Sequence, residues 1–510
     1  MSTTMMPTTS MPTTRMSPIT MGRVLAAERV RSRHSAASRF ALVGLVLAVV
    51  QGAGWWLVSS RDMSSWRGLL GWQTMYVTAL AAPLMGLLAA VATGREKRAR
   101  EGGTWARPVA PGQVLGARTL VLAWQSLLVH AALCLTPMLF GMIGGLGTPP
   151  VGLFIGLWLV LWVASLLPLV IGLWLSRRAG MIVTVGVLIV WQIAGTLMAE
   201  TSSWWLQPWS WMVHGAMPLL GIRANGVALP TGSPVWEWNP WIPAGLSLAL
   251  AMVVTVLMVA AVRSGDRPHR RRVRSGSGRD HAVAPAAPLA SGLLLERRRP
   301  STLASVRVML RGTAIWPLVI AAVVVLAVVA LVWTPGYVAG MATWLIIPLG
   351  CCVLACLVES ASAAGRRIAA LRLPVAALVA AENLASLTVL ALVDLAAVVA
   401  RSLSGGVLGE SLRLGVAWLV VGAMVLLVNA CLATRFGTAA ALGLTLVVLV
   451  VSLIFGGSVF AEGPLWILGV LGWPLNATTA ARMALLVGVC AVVSALAWWT
   501  RVAAARRALR

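Results

Sequence analysis

Apolar runs of about twenty residues, the length that crosses a bilayer as a helix, recur along almost the whole chain. They predict twelve spanning helices. Six lie near 39–60, 71–93, 114–142, 151–176, 179–200 and 242–262, and six near 313–333, 338–358, 375–400, 412–432, 437–458 and 482–500. Between the sets, 264–292 reads SGDRPHRRRVRSGSGRDHAVAPAAPLASG, a polar stretch rich in Arg, Pro, Gly and Ser. It is expected to be a disordered cytoplasmic linker. Residues 1–20 are rich in Thr, Met and Pro and hold no apolar core. They read as a disordered tail and not as a signal peptide. The expected fold is an all-α polytopic membrane protein, with a first six-helix half at 21–263 and a second at 293–510.

Composition agrees: 59% of residues are hydrophobic and only 11% charged, where soluble domains are about a quarter charged. The formal net charge of +26 would suggest nucleic acid in a soluble chain. Here it has another source, because Lys and Arg collect in cytoplasmic loops. Arg29, Arg31 and Arg33 precede the first span; Arg95, Lys97, Arg98, Arg100 and Arg107 follow the second. Arg177 and Arg178 follow the fourth, and Arg263, Arg267 and Arg270 to Arg272 the sixth. The second half repeats this with Arg297 to Arg299, then Arg366, Arg367 and Arg372, then Arg435, then Arg501, Arg506 and Arg507. The alternate loops carry only Arg61, Arg67, Arg223, Arg401 and Arg413. This places both termini in the cytoplasm and removes the case for a nucleic-acid partner. Lys97 is the only lysine, which fits a GC-rich genome, and the expected location is the cytoplasmic membrane of a bacterium.

The halves read as a repeat. Before the first span stands 28-ERVRSRHSAASRF-40, and before the seventh 296-ERRRPSTLASVRV-308. Both mix small apolar residues with Arg, as helices lying among lipid headgroups do. After the second span comes 101-EGGTWARPVAPGQVLGAR-118, and after the eighth 364-AGRRIAALRLPVAALVAAE-382. Each carries a Pro that opens the next helix, where its missing N–H costs nothing. Both halves start on the same side, so the repeat is parallel. The outer segment 201–240 holds Trp204, Trp205, Trp209, Trp211, Trp236 and Trp238. Since Trp favours the headgroup zone, it is expected to be an aromatic cap on the outer leaflet.

This order of parts resembles the transmembrane component of type-2 ABC exporters: an interfacial helix, two spans, an acidic-Gly-Gly-Thr segment, and a Pro and a basic residue opening the third span. Six spans per half and a long outer segment before the sixth are similar too. Pro-Trp-Ser-Trp at 208–211 and Gly221-Ile222 with Asn225-Gly226 look like permeases of lantibiotic self-protection within that family. The resemblance implies that the loop after span two is a coupling helix docking on a separate ATPase subunit, present in two copies. That role falls on Glu96, Lys97, Arg98, Arg100 and Arg107, with Glu101, Gly102, Gly103 and Thr104 as the matching core. The second half departs from the pattern: Glu359 is displaced, and Gly365, Arg366 and Arg367, with Arg372 beyond, stand where Glu-Gly-Gly-Thr would be. The implied function is ATP-driven export of a small hydrophobic or amphipathic compound, such as an antibiotic, peptide or lipid. No cofactor is expected on this chain, and the partner would bind the ATP.

The remaining chemistry lies in polar residues inside spans, which are costly there and mark function or pairing. Gln125 and His130 fall in span three; Glu382, Asn383 and Asp394 fall in span nine. Arg118 and Glu382 hold matching places in the repeat, as do His130 and Asp394, which suits an interhelical pair or a proton relay. Structural pairing or snorkelling of the long side chains is the simpler reading. The six Cys all lie in apolar runs, so neither a disulfide framework nor a metal site is expected. Leu403-Ser404-Gly405-Gly406 spells the opening of the ABC ATPase signature. It falls in the outer loop between spans nine and ten, and no G-x-x-x-x-G-K-[ST] phosphate cradle surrounds the one lysine. It reads as a Ser/Gly turn, and the chain itself as no ATPase. A proton-coupled transporter of the major-facilitator type is the alternative, since it too has twelve spans in two parallel halves; 94-GREKRAR-100 and 365-GRR-367 echo its loop pattern without the Asp. A polytopic sugar transferase needs outer acidic residues that this chain largely lacks.

Overall fold

A computed structural model describes residues 20–33, 35–58, 65–101, 109–265, 301–309, 313–370, 373–457 and 461–508. The tail at 1–19, most of the linker and the loop at 102–108 lie outside the described residues. The protein is an all-α polytopic membrane protein. Among the described residues no strand forms beyond one isolated bridge, Ile222 to Ala228.

The first half runs α1 (Met21–Ser32), α2 (Ala41–Val58), α3 (Trp66–Gly71), α4 (Ala81–Glu101), α5 (Pro111–Ile143), α6 (Val151–Met198), α7 (Trp211–Leu220) and α8 (Trp241–Gly265). The second runs α9 (Thr302–Met309), α10 (Ile315–Val332), α11 (Pro335–Met341), α12 (Ile347–Ala369), α13 (Val375–Leu403), α14 (Leu408–Phe436), α15 (Thr438–Gly456), α16 (Trp473–Asn476) and α17 (Ala480–Ala508). The described residues include eleven helices long and apolar enough to cross a membrane. The longest, α6, is two crossings. Gly180, at φ 83° and ψ 177°, breaks it, and Gly172 lies against Leu188 beyond the break, so the arms fold back as a hairpin. Gly437, at φ 91° and ψ 162°, makes the same turn between α14 and α15, where the Thr445 hydroxyl donates to Asn429 Oδ1 at 2.8 Å. Only glycine adopts such backbone angles without cost. Six crossings return the chain to the side it entered from, so the second half repeats the first in parallel.

The repeat extends to local distortion. Span two is a continuous apolar run, Trp66–Gly94, interrupted by a π-helical turn at Tyr76–Leu80; the eighth span, Pro335–Ala363, carries its counterpart at Ala342–Ile346. A π turn displaces backbone hydrogen bonds, and inside a membrane these must be satisfied by protein. Gln192 does so: its Nε2 donates to the Val77 carbonyl at 2.8 Å and its Oε1 accepts from the Ala82 N–H at 2.9 Å. Thr196 donates to the Thr78 carbonyl at 2.8 Å. In the second half Trp418 Nε1 donates to Thr343 Oγ1 at 2.8 Å.

Each half is built around its second span. The most apolar stretch of Trp66–Gly94 is 83% buried, whereas those of Trp241–Val262 and Ala480–Arg507 are 17% buried. The last helix of each half therefore shows most of its apolar surface outward, as a lipid-facing helix does. The halves meet where α15 packs on α2 and α4, and α12 on α6. Pro111 opens α5 and Pro374 precedes α13, the places where a residue lacking its N–H loses no helical bond. The helix α1 is not merely an apolar strip on lipid: it packs on α5, and its Glu28 is buried.

Candidate functional site

Between the halves lies a cavity of about 580 Å³. One wall is the first half's π turn and the second arm of α6, through Thr78, Ala79, Ile189 and Ile193. The other is α11 and the adjoining π turn, through Thr334, Tyr337, Met341 and Trp344, with Leu446, Leu449 and Leu453 of α15 closing it. Both π turns thus border the same space. By chain direction the cavity reaches from mid-span toward the end opposite the Arg-rich loops. Its lining is apolar, with two threonine hydroxyls, a phenol and an indole as polar groups.

A second feature lies at the Arg-rich end of the second half. Glu359 (α12), Arg366 (α12), Glu382 (α13) and Arg501 (α17) are all buried; Arg501 is 1% exposed and Glu382 is fully enclosed. Arg366 Nη2 lies 2.5 Å from Glu359 Oε2, and its Nε 2.9 Å from Glu382 Oε1. Arg501 Nη2 lies 2.7 Å from Glu382 Oε2 and 3.3 Å from Glu359 Oε2. Thr434 donates to Glu359 at 2.7 Å, Ser362 accepts from Arg366 at 2.9 Å, and Asn383 Oδ1 accepts from Arg501 Nη1. Two cations and two anions sum to zero. That neutrality and the added hydrogen bonds let four charges leave water, because each alone would cost several kcal/mol. In the first half Thr93 takes the place of Glu359, counting from the π turns, and its Oγ1 lies 2.8 Å from Ser176 Oγ, while Arg118 takes the place of Glu382.

The polar residues expected inside spans do not pair across the repeat. Arg118 Nε lies 3.1 Å from Glu28 Oε1 of α1, while Glu382 is engaged by Arg366 and Arg501 of its own half. The side chains stay within their halves because each finds a partner one helix away. His130 Nε2 is 2.8 Å from the Tyr76 hydroxyl, and its Nδ1 is 2.7 Å from the Ser126 carbonyl. Gln125 is buried with Oε1 unpartnered among the described residues. Asp394 is 8% exposed, and its Oδ1 also lacks a partner among the described residues.

Of the coupling residues, Glu96, Lys97, Arg98, Arg100 and Glu101 belong to the last turns of α4, which runs past the apolar stretch ending at Gly94. Gly102, Gly103, Thr104, Arg107 and Arg372 lie outside the described residues, and Arg367 has only its backbone described, within α12. Arg366 corrects the expectation of a displayed docking residue: it turns inward because Glu359 and Glu382 require a counter-charge there. Arg501, counted as an ordinary basic flank in sequence, is enclosed for the same reason. A buried Arg near the end of a span and a solvated one are alike in sequence; only Glu359, displaced from the loop pattern, hinted at it.

The outer segment, residues 201–240, folds into a piece of protein packed largely on itself and on its neighbours. Trp211, Met212, Val213 and Met217 of α7 are buried, and of its six tryptophans only Trp205 is exposed. His214 is stacked between Trp204 and Trp238, with ring centroids 3.9 and 4.2 Å away, and its Nδ1 lies 2.8 Å from the Ala199 carbonyl. Burial lowers the His214 pKa from its ordinary 6.5, opposed by the backbone hydrogen bond. Leu403 to Gly406 forms the turn between α13 and α14, with Gly405 at φ 94°. Arg401 braces this turn, 2.7 Å from Glu410 Oε2 and 2.7 Å from Ser411 Oγ.

Compared with protein-family models and with curated proteins, the chain matches none.

Proposed function

We propose that the chain is the membrane permease of an ATP-driven exporter for a small hydrophobic or amphipathic compound, working with two copies of a separate ATPase subunit. The observation that carries this reading is the cavity of about 580 Å³ between two repeated halves. Sites for drug-sized ligands are about 300–1,000 Å³, mostly apolar, with a few polar groups to orient the ligand. A site at the seam of two halves can change its exposure when the halves rock against each other. In this reading the Arg-rich end faces the cytoplasm, and the charged extension of α4 toward Glu101 passes motion from the ATPase to the second span. That span is central to the first half and borders the cavity through Thr78. Chemical energy then enters where the chain is basic and is used where it is apolar.

One observation favours a second reading, proton-coupled transport: Asp394, a buried carboxyl in span nine with an unpartnered oxygen among the described residues. Inside-out vesicles from cells that make the chain natively separate the two. ATP-driven accumulation of an amphipathic dye is expected to persist with a protonophore present, and Thr78→Trp, which fills the cavity, is expected to lower it at least tenfold at equal protein level. Loss of accumulation on adding the protonophore supports the second reading instead.

A further inference from the structure

The two halves differ in one groove, and the difference points to a ligand. In the second half the space between α13, α14 and α17 is filled by the chain itself. Val502, Ala505 and Trp498 pack on Val375, Ala376 and Val379, Cys431 Sγ lies 3.2 Å from Thr500 Oγ1, and Arg501 Nε lies 3.4 Å from Thr434 Oγ1. Counting back from the hinge glycines Gly437 and Gly180, the places of Cys431, Thr434 and Arg435 are taken by Trp174, Arg177 and Arg178. Counting back from the matched Arg118 and Glu382, Leu115 takes the place of Val379. Here α8 does not fill the space, and a groove of about 710 Å³ opens between α5, α6 and α8.

The groove has two chemistries in order. Its walls are apolar, among them Leu115, Ile171, Leu257 and Met258, and Arg177 and Arg178 stand at its Arg-rich end. The Arg178 guanidinium lies 5.0 Å over the Trp174 ring, which holds the cation at the rim while the ring, 40% exposed, continues the wall. From 254 to 262 the α8 wall runs about 12 Å at the rise of an α-helix, the depth of a headgroup and the upper part of an acyl chain. The groove lies on the peripheral helix of the half, whose surface is mostly exposed and apolar.

We propose that this groove binds an anionic phospholipid, with its phosphate on Arg178 and Arg177 and its acyl chains along α5 and α8. A free phosphate would leave the apolar walls unfilled. A zwitterionic lipid would bring its own cation to a cationic rim, whereas basic pockets between spanning helices select anionic headgroups. Guanidinium groups hold phosphate oxygens in paired hydrogen bonds. The proposal is independent of what the chain transports.

The test is native mass spectrometry of the full chain in mild detergent with phosphatidylglycerol or phosphatidylcholine added. Phosphatidylglycerol is expected to be retained preferentially. Arg178→Gln, at an exposed position, is expected to cut that retention several-fold, and Arg435→Gln, at the mirrored place, to leave it unchanged. Leu257→Trp, which occupies the groove without altering charge, is expected to give the same loss. Equal retention of the two lipids, unchanged retention in Arg178→Gln, or equal loss in both arginine variants would overturn the proposal. A rise in retention on deleting 268–290 while Arg178→Gln has no effect would assign the groove to that segment of the chain instead.

Discussion

At the scale of single residues, the second half buries a four-charge cluster at its Arg-rich end, whereas the first buries the single pair Arg118–Glu28 and a pair of hydroxyls, Thr93 and Ser176. Removing one member of a buried neutral set leaves a charge uncompensated, typically at about 3–5 kcal/mol. Arg501→Leu is therefore expected to destabilise the protein by about that much, read as a lower unfolding midpoint in detergent. Combining it with Glu382→Leu should restore most of the loss, because Arg366 and Glu359 remain as a neutral pair. A double variant no more stable than the single would contradict this. His214 makes a pH prediction. Its pKa is lowered in the folded state, so below 6.5 the unfolded chain takes up a proton that the folded chain resists. Stability from this site is full above pH 6.5 and declines as pH falls toward the folded value. Hydrogen-exchange protection across 199–240, corrected for the intrinsic pH dependence of amide exchange, should fall between pH 7.5 and 5.5, and His214→Gln should flatten that response. The sequence exposed Glu382, Asn383 and Asp394 as polar positions within an apolar run. It hid Arg501, because a basic residue near the end of a span reads as solvated until its carboxylates are located.

At the scale of elements, apolar run length and alternating basic loops were enough to find the spans, including the break near Arg177 and Arg178 that the hairpin at Gly180 realises. The π turns were not legible: their cause is a distant side chain, Gln192, meeting the backbone of Val77 and Ala82, and no local pattern announces it. The packing within 201–240 was not legible either, since a run of tryptophans does not say which of them will stack on a histidine such as His214. The hinge glycines carry the element-scale prediction. At φ 83° and 91° a side chain costs about 1–3 kcal/mol in strain. Around both Gly180 and Gly437 the space for a Cβ is open, so the effect isolates conformation from packing. Gly180→Ala and Gly437→Ala should each lower the unfolding midpoint and, combined, add nearly fully. Variants as stable as the parent would show that the turns tolerate ordinary backbone.

At the scale of the whole molecule, two copies of one plan have diverged. One keeps the charged extension of α4 and an open groove at its last helix; the other has drawn Arg366 and Arg501 inward and closed the same groove with α17. In the proposed account the first half moves with the ATPase and the second is the stiffer frame, with the apolar cavity at their seam. The central claim is that ATP hydrolysis drives this chain from a separate subunit. The most direct measurement is vanadate-sensitive ATPase activity of the full chain, purified through a terminal tag from its native membranes in mild detergent. The account predicts that ATPase activity and a second polypeptide elute with the chain at two ATPase subunits per chain. A chain that elutes alone and monodisperse, with no ATP hydrolysis, while native vesicles still transport, would contradict it.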